Sequence, residues 1–223
     1  MLKKVLIPLS IAAALGAGVF TYSSFQQNEP EKTAAAAVQT QKDLPVYETN
    51  GSYEVFSNVD DMEKKADLVV VATPKKAFDQ RKHITTYFDG PNANEKYPEN
   101  CFTITDMKVK KVLSSKTEAK KKDLDITVLE PVGIYKDNDG VNKKLRFEGY
   151  EEMSNSKDYI LYLEENDKGN YNIVNIVDGK FEVKDTAKKA DKDSYLSEHA
   201  ELHSNLEKAT KAKFKKQLAE FTE

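Results

Sequence analysis

The stretch that most limits how this chain can fold is residues 101–113, CFTITDMKVKKVL. It is long, rich in β-branched and bulky residues, and free of glycine and proline, so it reads as a strand. Its alternation is imperfect. Phe102 and Ile104 share one phase, Met107 and Val109 take the other, and Val112 returns to the first. Successive side chains of a strand point to opposite faces, so a change of phase inside one run predicts a bulge or strong coiling. A strand of that kind suits a small, curved, closed sheet.

Other strands gather around it. Residues 68–72, LVVVA, form a continuous apolar run that fits a strand buried on both faces and stopped by Pro74. Residues 83–88, 126–129, 143–147, 159–163, 171–177 and 181–183 supply further candidates. Residues 89–100 read as a long loop, and residues 114–123 as a lysine-rich one. Asp178 and Gly179 form a two-residue hairpin signal between the last two candidates, and residues 166–169 another turn. Successive hairpins give an antiparallel meander. Ser57 or Asn58 can cap a short helix through Lys65, with Asp60 and Asp61 in its first turn. The expected class is therefore α+β: a small antiparallel curved β-barrel or sandwich of about six to eight strands, with a short N-terminal helix and a long C-terminal amphipathic helix.

The division of the chain follows from composition. Lys3 and Lys4 precede an uncharged apolar run over residues 5–20, broken only by Pro8 and Ser10. A basic start followed by a short apolar segment is the pattern of a secretory signal, and small residues at Ala14 and Gly16 offer a cleavage site. A retained membrane anchor is the competing reading of residues 1–20. The only cysteine is Cys101, so no thioether-linked lipid anchor and no internal disulfide follow. Residues 21–45 are polar and low in complexity, as a flexible linker is. The barrel domain is expected over residues 46–184 and the helix over residues 185–223.

Chemistry is scarce. The net charge is −3, and Arg81 and Arg146 are the only arginines, so no nucleic-acid partner is expected. Asp137, Asn138, Asp139 and Gly140 invite a calcium reading, but Arg146 stands where that loop needs glutamate, and a turn between strands accounts for the same residues. Cys101 reads as a buried hydrophobe and not as a nucleophile. His199, His203 and Glu207 stand one above another on the C-terminal helix and form the single metal constellation to weigh. The order His199-Ala-Glu-Leu-His203 lacks the metalloprotease spacing, so the expectation is two packed, hydrogen-bonded histidines and no metal site. No catalytic residue, metal or cofactor is expected.

Between residues 194 and 221 the apolar residues keep helical spacing. Leu202 and Leu206, nearer the last strand, are expected to dock on the barrel. Phe214, Leu218 and Phe221, closely flanked by lysines, are expected to stay free as a partner-binding face, so a chain ending at Ala209 should still fold.

The order of motifs resembles a known group. Asp67 with LVVVA, then residues 102–113, then ITVLE at 126–130, KDYILYL at 157–163, YNIV at 171–174 and GKFEV at 179–183 resemble a broad group of poorly characterised extracytoplasmic proteins of Gram-positive bacteria. Its members read aspartate and strand, a threonine-rich strand ending in lysine-glycine, a strand, then glycine-lysine-x-tyrosine and strand. Here Ser114 and Ser115 replace the usual glycine, and Asn155 and Ser156 stand before Lys157. The resemblance covers roughly residues 46–184 and implies a small barrel, similar in outline to oligonucleotide-binding and netrin-like folds. It implies no catalytic residue.

Two functions fit. The first is a secreted or membrane-tethered cell-envelope protein acting as a non-catalytic binding module, meeting the membrane only through its N-terminal segment. The alternative is an extracellular hydrolase or metal-dependent enzyme whose site the sequence does not display.

Overall fold

In the computed structural model the apolar run LVVVA becomes the strand that most of the fold is layered upon. Residues 44–92, 95–116, 124–184 and 195–222 are described; the expected signal or anchor segment and nearly all of the expected linker lie outside them. In chain order the elements are β1 (Val46–Thr49), α1 (Val59–Lys65), β2 (Leu68–Pro74), β3 (Lys82–Asp89), β4 (Lys96–Ser115), β5 (Asp125–Glu130), β6 (Val132–Lys136), β7 (Asn142–Phe147), β8 (Tyr159–Glu165), β9 (Tyr171–Ile173), β10 (Lys180–Glu182), α2 (Tyr195–Lys213) and α3 (Lys215–Thr222).

β2 lies between β4 and β8, antiparallel to both. β4 pairs with β5, β5 with β9 and β9 with β8, which closes a five-stranded barrel. The free half of β8 takes β10. Alternation along β2 explains why the whole run is apolar. Leu68, Val70 and Ala72 fill the barrel interior with Met107, Val128, Leu161 and Leu163. Val69 and Val71 face outward beneath α1, α2 and α3, with Met62, Ile160, Tyr162, Leu206, Phe214 and Leu218. A strand covered on both faces has no place for a polar residue.

The bulges expected in the long strand fall at its far end. Pairing of β2 with β4 shifts between Val69 and Val70 and again between Val71 and Ala72. Met107, Val109 and Val112 consequently all serve the interior, while Leu113 joins the outer layer. The phase change read between Ile104 and Met107 is absent. Thr103 and Thr105 occupy the inward positions there, fully buried, and Phe102 and Ile104 take the other face. The inward phase there is carried by threonines, whose hydroxyls donate to the Val132 carbonyl and to Glu130 Oε1.

A second sheet, ordered β1-β7-β6, stands beside the barrel. The β6–β7 hairpin turns at Asp137, whose carboxylate Oδ1 accepts from the Asp139 and Val141 amides at 3.0 and 2.8 Å. Gly140 there has φ 77°. The turn reading of these residues holds. α1 also starts as expected: the Asn58 side chain accepts from the Asp61 amide at 2.9 Å.

Four expectations need correction. There are ten strands among the described residues and not six to eight, because β1 and β6 are short and carry weak alternation. The sheets are mixed, since β1 runs parallel to β7 and β5 parallel to β9. Asp178 and Gly179 do not join a hairpin; β9 ends at Ile173 and a one-turn 3-10 helix over Ile176–Gly179 leads to β10. Gly179 is required for close approach, as a Cβ there would lie 1.7 Å from the Val174 carbonyl oxygen.

The fourth correction concerns the long C-terminal helix, which is two helices interrupted at Phe214. No proline or glycine stands there. Helical hydrogen bonds continue across the break, from the Phe214 amide to the Thr210 carbonyl and from the Leu218 amide to the Phe214 carbonyl, and Leu206, Thr210, Phe214 and Leu218 are all buried. Phe214 and Leu218 are thus covered by the chain's own outer layer, and Phe221 is partly buried against the same cluster. They do not form the free partner-binding face expected of them, because lysine stems can flank an apolar contact while their charged heads stay in water.

Candidate functional site

Beyond the point where β5 leaves it, β4 continues as a two-stranded ribbon with β3. An isolated hairpin is marginal in water. This one is steadied where the Lys96 amide donates to Asn138 Oδ1 at 3.1 Å and where Cys101 packs with Tyr135 and Leu145 of the second sheet. Residues 89–100 are therefore a shorter turn than expected. Gly90 N–H donates to the Glu95 carbonyl at 2.8 Å, and Asn92 Nδ2 to Glu95 Oε1 at 2.8 Å.

The ribbon ends in exposed aromatic rings. Phe88 is 55% exposed, Tyr97 41% and Tyr87 40%. Phe88 and Tyr97 are cross-strand partners, and their rings stack at 5.7 Å between centroids. The Tyr97 hydroxyl donates to Glu95 Oε2 at 3.3 Å. A rigid aromatic pair beside carboxylate and amide acceptors gives a contact surface that loses little side-chain freedom on binding. Single exposed aromatics are ordinary; the Phe88–Tyr97 pair forms an exposed patch on one face of the ribbon, while Tyr87, adjacent in the strand, lies on the other face. Sequence reading placed Tyr87 and Phe88 at the end of an expected strand but Tyr97 in an expected loop, so nothing marked Phe88 and Tyr97 as a pair.

Two charged clusters sit within the fold. In the first, the side chains of Arg81 and Glu130 are 2% and 0% exposed and pair at 2.6 Å. Glu130 Oε1 also accepts from the Thr105 hydroxyl, and Oε2 accepts from Tyr150 OH at 3.1 Å and the Met153 amide at 2.8 Å. Arg81 donates from Nε to the Lys76 carbonyl at 3.0 Å and from Nη2 to the Met153 carbonyl at 2.6 Å. Burial holds the Tyr150 phenol well above its usual range. Every carboxylate oxygen is engaged, so the cluster acts as a clasp that ties residues 76–81 and 150–153 to the barrel. The sequence signal was slight: one of only two arginines, and a glutamate ending an apolar strand.

In the second, His203 of α2 bonds through Nδ1 to Asp178 Oδ1 at 2.9 Å and sets its ring 5.2 Å from that of Phe181. Asp178 is fully buried. Asn175, in a left-handed conformation with φ 61°, places the turn and binds the Phe56 backbone on both its N–H and its C=O. Glu207, the third member of the metal constellation, instead accepts from Lys211 at 2.8 Å. The side chain of His199 lies outside the described residues. Among the described residues no group of three metal-ligating side chains converges.

Cys101 is 6% exposed, and burial pushes its thiol up to about 11. That fits an inert side chain, since the thiolate is the reactive form. Gly133 makes room for it: a Cβ at Gly133 would come within 2.3 Å of Cys101 Sγ. Gly133→Ala is therefore expected to destabilise the domain by about 1–3 kcal/mol through overpacking, and a second change, Cys101→Ala, to recover most of that loss. Chemical unfolding of both single variants and the double variant measures this coupling. Additive losses would show that the two residues do not meet.

An open cleft of about 490 Å³ lies between α1, the ends of β2 and β4, and Lys213. Its charges are already matched: Lys213 pairs with Asp60 and Glu63, and Lys116 with Asp67. Among the described residues no helix is long and apolar enough to cross a membrane. Comparison with known protein families, with curated proteins and with solved structures finds no match for this chain.

Proposed function

We propose that this chain is a secreted or membrane-tethered cell-envelope protein, and that its barrel is a non-catalytic binding module presenting the β3–β4 ribbon to a ligand. The observation that carries this reading is the stacked, exposed Phe88–Tyr97 pair at the end of the ribbon. Surface placement follows from Lys3, Lys4 and the apolar run over residues 5–20. The resemblance to Gram-positive extracytoplasmic barrels points the same way. The competing hydrolase reading rests on His203 held by the buried Asp178 carboxylate. It loses ground because that ring is partly covered by Phe181 and serves to dock α2.

The test has two arms. Removing residues 1–21 should retain the protein inside the producing cell. Phe88→Ser with Tyr97→Ser should leave the melting temperature within a few degrees, because both rings are exposed, and should lower binding to isolated cell envelopes by about tenfold or more. Undiminished binding by that double variant, with loss of binding in His203→Ala, would favour the enzyme reading.

A further inference from the structure

We propose that β3 is a self-pairing edge: two copies of this chain join antiparallel through residues 83–89 about a twofold axis at Thr86. β3 is hydrogen-bonded to β4 along one edge, and among the described residues its other edge has no backbone partner. An open strand edge is a template for another strand unless charge, proline, a bulge or a cover blocks it; the bulge between Thr86 and Tyr87 places its extra residue, Glu99, on β4 and not on the open edge of β3. Here Lys82 and Asp89 stand only at the ends, and Ile84, Thr85, Thr86, Tyr87 and Phe88 between them carry no charge. His83 is neutral as well, because burial pushes its imidazole down to about 4.

The strand's own symmetry identifies the occupant. A twofold axis perpendicular to a sheet shows the same face of both copies on the same side, and directly opposed residues must share that side. Opposed residues therefore differ by an even number of positions, and the axis falls on a residue. With the axis at Thr86, that residue meets its own copy, Tyr87 meets Thr85, Phe88 meets Ile84, and Asp89 meets His83. These are threonine–threonine and aromatic–β-branched pairs, the cross-strand contacts that favour sheets. No like charges are opposed, and both exposed rings gain a flanking neighbour. With the axis moved to Thr85, Phe88 meets Lys82 and loses its apolar partner.

Pairing would set the Phe88–Tyr97 stacks of both copies on the same side of one four-stranded ribbon. That doubles the ligand-binding face and raises avidity without any new ligand contact. The pairing stands on the geometry of β3 and not on the ligand, so its failure would leave the binding reading untouched.

The test uses the full chain. Thr86→Cys in a Cys101→Ser background should cross-link under mild oxidation about tenfold faster than Asp167→Cys, an exposed position on the β8–β9 turn. The Cα separations of opposed antiparallel residues, about 4.5–5.5 Å, lie within disulfide reach. Thr86→Lys and Thr86→Glu should each abolish association by setting like charges across the axis, and mixing the two should restore it as a heterodimer. The proposal is overturned if Thr86→Cys cross-links no faster than Asp167→Cys, or if a native dimer survives Thr86→Lys.

Discussion

Arg81→Ala is expected to lower the stability of this protein by about 3–5 kcal/mol, the usual cost of leaving one partner of a buried ion pair behind. Glu130 cannot turn to water, because its side chain is 0% exposed. Its remaining contacts with Thr105, Tyr150 and the Met153 amide do not replace a guanidinium. The Met153 and Lys76 carbonyls would lose their donor at the same time. A paired change, Arg81→Met with Glu130→Leu, should recover much of the loss, since apolar side chains of similar volume remove the desolvation cost along with the charge. Denaturant unfolding of the three variants decides this. A loss below about 1 kcal/mol for Arg81→Ala would mean that the cluster is wet or loosely held, because exposed pairs contribute no more than that.

The second large effect lies in the C-terminal helices. Leu206 is 1% exposed in the layer that also holds Met62, Ile160, Tyr162 and Phe181. Leu206→Asp removes about 1.5–3 kcal/mol of apolar burial and sets a carboxylate in an apolar layer, so a total loss above about 3 kcal/mol is expected. Ending the chain at Ala209 should be comparably harmful. It deletes Phe214 and Leu218, both 4% exposed, and the Tyr162–Thr210 hydroxyl bond at 3.1 Å. It also deletes Lys213, which ties α2 to Asp60 and Glu63 near α1. Thermal melts of both variants against the parent provide the check. Unchanged melting temperatures would show that the helices rest on the barrel without stabilising it.

The truncation reverses what helical spacing alone implied, and the reason is instructive. Spacing identifies which residues share a face but not what covers it. Leu206 and Phe214 lie on one stripe, and nothing in their neighbours distinguishes a face docked on its own barrel from one left for a partner. Local chemistry was more legible. Asn58 capping α1, Asp137 and Gly140 turning the β6–β7 hairpin, and the doubly covered LVVVA strand all depend on residues adjacent in sequence. The Arg81–Glu130 clasp was invisible because its members stand far apart in the chain and meet only when the barrel closes. The inward phase of Thr103 and Thr105 was hidden for the same reason: their hydroxyls bond Val132 and Glu130, 29 and 25 positions away. Tyr97 hid in a segment whose asparagines, prolines and glycine look like loop, while Phe88 ended an expected strand. Cross-strand pairing, which no local pattern encodes, brings Phe88 to Tyr97.

The binding claim is tested most directly by hydrogen exchange of the full chain, read by mass spectrometry with and without intact cell envelopes. The account predicts added protection confined to residues 82–100, strongest around Phe88 and Tyr97, with α2, α3 and the cleft beside α1 unchanged. Protection centred on the helices or on that cleft, with the ribbon exchanging as it does in the free protein, would contradict it.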